Sequence, residues 1–549
     1  MTKSSLRPSA ALAALLAMQS AHAATYTFNG TTTGTAPGTT WSSGTSWSGV
    51  PVSATDTSLV FGNSATLAAS TNVHTSQNIA TPFQLNSLTM SYVGPASGTG
   101  PSVTINTNAL SFVSNGLTTP TINLNATGTV RPSFTFASGV TFANDTAISG
   151  ASDVLFSGTI ANSGGAVVTK SGVGVMRVQS NNSGYTGNFT VSGGTLQVGN
   201  NGGTGDIGNG TVTLSGGAFA VRRNGSALAL NTTITGTGNV AFQTNGGFTA
   251  TINRANTYVG TTSISPTTSA VSGTVQLGIE NGLSTSSILT IGNNGLSVQT
   301  FGLNNFNQTL GGLATGAGGD ATDSKVSLGT GTLTINDAGT RTFAGEISGG
   351  GNVTKQGAGT WTLSSANTFT GNTTITGGGL TLGAAGSVNA SSRVSVGGGA
   401  TFTNNNASAV TAALALTEGA TLAGSGTFTP GSLLVGADLS NGFSAISAGA
   451  SLAKAGTLTF DLSGITAGTY SLFNGVPAGS FSGVSIGATA LSTADANATF
   501  SGIIGGFNYL FTNNINELSV TAIPEPSAAA VVLGLGVFGF VAVQRRRSS

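Results

Sequence analysis

Two stretches of this 549-residue chain align with one another in fixed order, and that repetition limits the possible fold more than any other feature. Val168-Thr-Lys-Ser-Gly-Val-Gly-Val-Met-Arg-Val178 aligns with Val353-Thr-Lys-Gln-Gly-Ala-Gly-Thr-Trp-Thr-Leu363. After a one-residue shift, Tyr185-Thr-Gly-Asn-Phe-Thr-Val-Ser-Gly-Gly-Thr-Leu196 aligns with Phe369-Thr-Gly-Asn-Thr-Thr-Ile-Thr-Gly-Gly-Gly-Leu380. A degenerate third copy reads Asn256-Thr-Tyr-Val-Gly-Thr-Thr-Ser-Ile264, then Gly273-Thr-Val-Gln-Leu277. Self-similarity in fixed order over this length marks a stacked repeat, whose units cannot bury their apolar residues alone.

Between and beyond these copies run short period-2 segments such as Thr211-Val-Thr-Leu214, Ser287-Ile-Leu-Thr-Ile291, Thr332-Leu-Thr-Ile335 and Arg393-Val-Ser-Val396. Each is bounded by Gly, Asn or Ser, which is the strand signal. No convincing 3.6-residue periodicity interrupts them between Ala24 and Ala522, so the body reads as all-β. The absence of cysteine leaves packing and hydrogen-bonded ladders to hold it together. With 27 Phe and little charge the composition is not that of a disordered chain. Thr31 to Thr40 and parts of Ser440 to Ala450 are the exceptions expected to be unstructured.

The repeats resemble the autotransporter-associated β-strand repeat, also called the passenger-associated transport repeat. Its pattern of Val-Thr-Lys-x-Gly-x-Gly, then Asn-x-Tyr/Phe-Thr-Gly-x-Thr, then Gly-Gly-x-Leu is met at 353–380 and, with substitutions, at 168–196. Trp41 to Pro51, Phe306 to Leu313 and Leu422 to Phe428 add flanking likeness. The resemblance implies a right-handed parallel β-helix; periodicity alone supports a β-solenoid. At ~20–25 residues per rung and ~4.8 Å between rungs, the body would extend on the order of 80–100 Å. Lys170 and Lys355 stand before matching Gly-x-Gly corners and are expected at solvent-facing turns, with a ligand role as the alternative. Trp361 aligns with Met176 and is expected to point inward, while Trp41 and Trp47 are expected to cap the first rungs.

Both ends carry targeting patterns. Lys3 and Arg7 form a positive n-region, Ala10 to Met18 an apolar stretch, and Ala21-His22-Ala23 an A-x-A site, which predicts signal-peptidase cleavage before Ala24. The C-terminal end reads Ile523-Pro524-Glu525-Pro526, an uncharged apolar run from Ala528 to Val543, then Arg545-Arg546-Arg547. The run is 16 residues, about 24 Å as a helix and just under the ~17–25 residues that span a bilayer. Its arginines would hold that end in the cytoplasm. This tail resembles the PEP-CTERM sorting signal of Gram-negative bacteria. The resemblance implies recognition by an exosortase, transient anchoring in the inner membrane, and delivery to the cell surface or extracellular matrix. A plain C-terminal anchor is the alternative. Autotransporters end in a membrane β-barrel, and no such pattern closes this chain.

Chemistry is sparse. Of 16 Lys and Arg, five lie in the leader and tail, leaving 11; of 15 Asp and Glu, only Glu525 does, leaving 14 and a net charge near −3. No basic patch points to nucleic acid. Glycoside hydrolysis needs two facing carboxylates, and only Asp320 and Asp323 are close in sequence, on an expected loop tip. Gly483-Val-Ser-Ile-Gly487 fits G-x-S-x-G, but a serine triad needs histidine, and His74 alone remains after leader removal, at an expected turn or surface. Gly203-Thr-Gly-Asp-Ile-Gly208 lacks a βαβ context. Gly202-Gly-Thr-Gly-Asp206 approaches a calcium nonapeptide, with its Asp one residue early.

The expectation is therefore an all-β, elongated parallel β-helix with an N-terminal signal helix and a C-terminal transmembrane helix. The boundaries are 1–23 signal peptide, 24–150 N-terminal solenoid and capping region, 151–400 repeat-bearing β-helix, 401–522 C-terminal solenoid and 523–549 sorting signal. Catalytic residues, cofactors and metals are expected to be none. The function expected is a non-enzymatic surface or matrix protein working in adhesion or biofilm. The alternative is a polysaccharide-binding or polysaccharide-degrading β-helix.

Overall fold

A computed structural model of the chain describes residues 24–524, apart from 29, 31–38, 44–45, 63, 267–271, 293–296, 321, 442–443, 448–451, 475–476 and 494–498. The described chain is all-β, a parallel β-solenoid of about 17 turns. It divides into two compact units: one runs up to Asn336 and takes in Arg341–Gly351, the other comprises Asp337–Thr340 and the chain from Asn352 onward.

Period 2 dictates how each rung is built. In Ser133–Phe136, Phe134 and Phe136 are fully buried while Ser133 and Thr135 stay half exposed. One apolar face of a lone strand cannot be buried, so the same parity recurs in the next rung and the faces stack. In the first unit a nine-stranded parallel ladder begins Thr25–Phe28, Ser58–Phe61, Ser87–Met90, Thr121–Leu124 and continues through Thr146–Gly150, Val167–Lys170, Asn188–Val191 and Thr211–Leu214 to Thr233–Gly236. A twelve-stranded ladder runs beside it from Thr39–Thr40 to Gly312–Thr315, with four- and six-stranded ladders completing the turns.

The second unit repeats the scheme. One ladder runs Val353–Gln356, Thr373–Ile375, Val394–Val396, Leu414–Thr417, Ser432–Asp438, Thr457–Ser463, Gly483–Ile486, all parallel. Another runs Thr360–Leu363, Gly379–Leu382, Thr401–Asn404, Thr421–Ala423. The solenoid expected through residue 522 then gives way to an antiparallel sheet of Thr499–Ile504, Phe507–Thr512 and Glu517–Ala522, with Gly468–Ser471 and Ser492–Thr493 at its edges.

The core is aliphatic with aromatic stacks. Phe136 and Phe156, on neighbouring rungs, stack at 4.9 Å between centroids. Trp41 and Trp47 are buried at the first rungs against Phe28, Phe61 and Phe83, as expected of a cap. Trp361 is buried, over Leu380 of the next rung, and Met176 is buried likewise. Each fully buried Phe or Leu is worth about 1.5–3 kcal/mol, and these rungs need it, since no disulfide exists.

Two expected unstructured segments are partly ordered. Thr39–Thr40 pairs with Thr75 and Ser76, and Ile446–Ser447 pairs with Phe473 and Asn474. The only helical turns among the described residues are the short Trp41–Ser43 and Leu439–Asn441. No helix among them is long and apolar enough to cross a membrane. The signal helix at 1–23, with Ala21 and Ala23, and the tail residues Glu525, Pro526, Arg545, Arg546 and Arg547 lie outside the described residues. Ala24 directly precedes the strand Thr25–Phe28, and Pro524 is exposed, two residues after Glu517–Ala522.

Candidate functional site

The repeat corners hold the most distinctive side-chain arrangement, and they correct the reading of the lysines. Lys170 and Lys355 are buried, not solvent-facing. Lys170 sits in an inward column between Ile148 on one rung and Val191 on the next. Lys355 stands next to Ile375 in a column continuing through Val396 and Leu416. Their stems fill aliphatic positions while each ammonium turns into the corner. The Lys170 Nζ donates to the carbonyls of Ser171 at 2.7 Å, Gly172 at 2.9 Å and, one rung on, Gly193 at 3.3 Å. Lys355 Nζ donates in the same way to Gln356, to Gly357 at 2.9 Å and to Gly377 at 3.3 Å. An ammonium has three donors, and here each finds a carbonyl.

The glycines of the motif follow from this geometry. Gly172 and Gly194 take φ of +73° and +64°. A Cβ on Gly194 would stand 2.3 Å from the Gly174 carbonyl oxygen and 3.0 Å from Lys170 Nζ. The corner must pass that close for the lysine to reach it. Burial pushes the Lys170 amine down to about 8, opposed by Asp153. Burial also lowers Lys355, against the pull of Asp337, and lowers Lys454. Lys454 clasps the closing sheet: its Nζ donates to the Asn513 carbonyl at 2.6 Å and to Asn516 Oδ1 at 2.9 Å.

Asparagine supplies a second inter-rung device. The side-chain oxygens of Asn162, Asn188, Asn239 and Asn352 each accept a backbone N–H roughly one rung ahead, from Thr186, Thr211, Thr261 and Asn372. Asp145 and Asp153 do the same for Val167 and Val175. Several of the few carboxylates are thus spent on backbone donors.

The remaining candidates resolve one by one. Asp320 is exposed and Asp323 is buried, and both serve their own loop: Asp323 Oδ1 accepts from Asp320 N and Ser324 Oγ, Asp320 Oδ1 from Thr322. In the calcium-like stretch, the carbonyls of Gly203 and Gly205 accept from the buried Arg223 guanidinium, and Asp206 Oδ1 accepts from Gly208 N. The carbonyls of this stretch thus face a fixed cation of the chain itself. Ser485 of the G-x-S-x-G match lies in strand Gly483–Ile486, and its Oγ donates to Thr459 Oγ1 at 3.0 Å. His74 is in the strand Asn72–Gln77, half-buried on its outer face, with Nδ1 3.4 Å from Asn106 Nδ2; it is a surface strand residue, not a turn.

Glu418, Asp438 and Asp461, on successive rungs, line one shallow depression of about 350 Å³. Glu418 Oε2 accepts from Asp438 N at 3.3 Å and Asp438 Oδ1 from Ser440. Among the described residues, no group of three or more His, Asp and Glu could hold a metal ion.

Residues 168–198 and 353–382 match the family model of the passenger-associated-transport-repeat. Those are the two segments whose lysines close the corners, so the repeat pattern and the lysine arrangement coincide. The matched segments make up a minor part of the chain. No curated protein and no solved structure proved similar to the chain. The parity that places Val168 inward also places Lys170 inward, two residues on, and the same holds for Val353 and Lys355; this was the available sequence signal. For Arg223, Lys454 and the asparagine caps no local signal existed, because each depends on which rung lies above.

Proposed function

We propose that the chain is an exported, non-enzymatic passenger-type solenoid that serves at the cell surface or in the extracellular matrix of a Gram-negative bacterium, in adhesion or biofilm structure. The observation that carries this reading is the match of the two lysine-cornered segments to the passenger-associated transport repeat, within a parallel β-solenoid. On this reading signal peptidase removes residues 1–23, and an exosortase recognises Pro524-Glu525-Pro526 while the apolar run holds the chain in the inner membrane. Arg545, Arg546 and Arg547 retain its end on the cytoplasmic side. A body charge near −3 suits an exposed surface and gives no basis for nucleic-acid binding.

Deleting residues 524–549 tests the sorting step. Surface-labelling and medium fractions should show the shortened protein lost from the surface and released or retained in the periplasm. Unchanged surface display would sink the sorting reading.

A second reading, a polysaccharide-binding or polysaccharide-degrading solenoid, draws support from two adjoining polar depressions. One, about 490 Å³, is lined by Ser114, Asn144, Asp145 and Ser163; the other, about 290 Å³, by Asn162, Asn181, Asn182 and Thr186. Glycan binding or turnover by the purified chain would favour it.

A further inference from the structure

The closing antiparallel sheet has two unlike faces. Phe500, Tyr509, Phe511, Leu518 and Val520 are buried on one side. The other side follows from register: Ile503 opposes Asn508, Ser501 opposes Leu510, Leu510 opposes Ser519, and Asn508 opposes Thr521. Directly opposed residues in an antiparallel pair point to the same face. Ile523 extends that face, because its N–H donates to the Gly506 carbonyl at 2.9 Å. Ile503 is 70% exposed, Ile523 40% and Leu510 38%, so aliphatic side chains face outward on this side of the sheet.

This face is graded. Its carboxylate, Glu517, stands opposite Thr512 at the far end, six residues before Ile523, or about 20 Å at the rise of a strand. The end carrying Ile503 and Ile523 is uncharged, and it is the end from which the chain leaves toward its tail. No Lys or Arg occurs between Ala455 and Pro524, so nothing here would draw the face to an anionic surface by charge.

We propose that the Ile503–Leu510–Ile523 face is a foot that rests in the headgroup–acyl boundary of a lipid bilayer. The inference rests on the reading of the tail as membrane-inserted. The apolar run begins at Ala528, five residues after Ile523, and five extended residues reach at most about 18 Å. If the run is in the bilayer, the Ile503–Ile523 end of the sheet stands within that distance of the interface. Uncharged aliphatic side chains at that depth gain by leaving water, whereas the Glu517 end, a strand length away, stays in water.

The chain has no cysteine, so single-site labels are unambiguous. Ile503→Cys, Glu517→Cys and, as a solenoid reference, Ser395→Cys are made in the chain from residue 24 to 549 and tagged with a nitroxide. They are reconstituted with vesicles of phosphatidylethanolamine and phosphatidylglycerol. The label at 503 should lose accessibility to a water-soluble nickel chelate severalfold and gain accessibility to oxygen, with 517 and 395 unchanged, and the effect should survive high salt. If the chain floats with vesicles but 503 remains as open to nickel as 517, the foot is overturned and the tail reading stands. Spin–spin broadening at 503 would mean that a second copy covers the face, which also overturns it. Failure to float with vesicles would remove the tail reading and the foot with it.

Discussion

A lysine in an aliphatic column is a costly residue unless its charge is met, and Lys170 meets it with three carbonyls drawn from two rungs. Replacing it by Met keeps the stem and orphans those acceptors. Lys170→Met should lower unfolding stability by about 1–3 kcal/mol, read from denaturant curves. The pH dependence has a definite sign. The folded amine titrates near 8, below its ordinary 10.5, so between those values the unfolded chain holds the proton that the folded chain has lost. Stability therefore rises with pH across that window. The advantage of wild type over Lys170→Met should grow from near pH 7 to near pH 10; a shrinking gap would contradict the buried corner. The chemistry-bearing residues were legible here as an aligned pair, and their parity with Val168 and Val353 was legible too. What local sequence did not show was the partner: the carbonyl of Gly193 becomes a ligand only once the next rung is stacked. Arg223 behaves alike. Because its guanidinium fills the cradle of Gly203 and Gly205 carbonyls, removal of calcium with a chelator should leave the melting temperature unchanged, and a calcium-dependent shift would show that a metal site had been overlooked.

At the scale of an element, strands and corners differ in how openly they declare themselves. Strand positions were plain, since alternation such as Thr211-Val-Thr-Leu214 survives as outward-facing and buried positions in turn. Corner geometry was half plain: glycine pairs marked the bends, but not which glycine tolerates a side chain. Gly194 has positive φ and a crowded Cβ position, whereas a Cβ on the exposed Gly184 would meet nothing within 4 Å. Gly194→Ala should thus cost more than about 1 kcal/mol, while Gly184→Ala stays within about 0.5 kcal/mol, compared by thermal unfolding. The antiparallel ending was the largest surprise, because Phe507-Asn-Tyr-Leu-Phe511 alternates like any parallel rung. Gly505 and Gly506, with φ of +59° and +82°, are the two-residue hairpin turn that distinguishes it.

On the scale of the whole molecule, export and stacking are separate claims. Sorting to the surface is answered by where the chain lacking 524–549 ends up. The stacking claim concerns every rung. The division near residues 336–352 has no counterpart in composition, since both units draw on the same Gly, Thr, Asn and Val. What holds throughout is register: Thr190 stands opposite Thr213, and Thr213 opposite Thr235, on the outward face of adjoining parallel strands. Adjacent rungs sit about 4.8 Å apart, within the 4.4–6.8 Å span of disulfide Cα atoms, and alternate rungs do not. In this cysteine-free chain, Thr190→Cys with Thr213→Cys should oxidise readily to an intramolecular disulfide, and Thr190→Cys with Thr235→Cys should not. Equal or reversed cross-linking of the two pairs would contradict the parallel, in-register stack on which the rest depends.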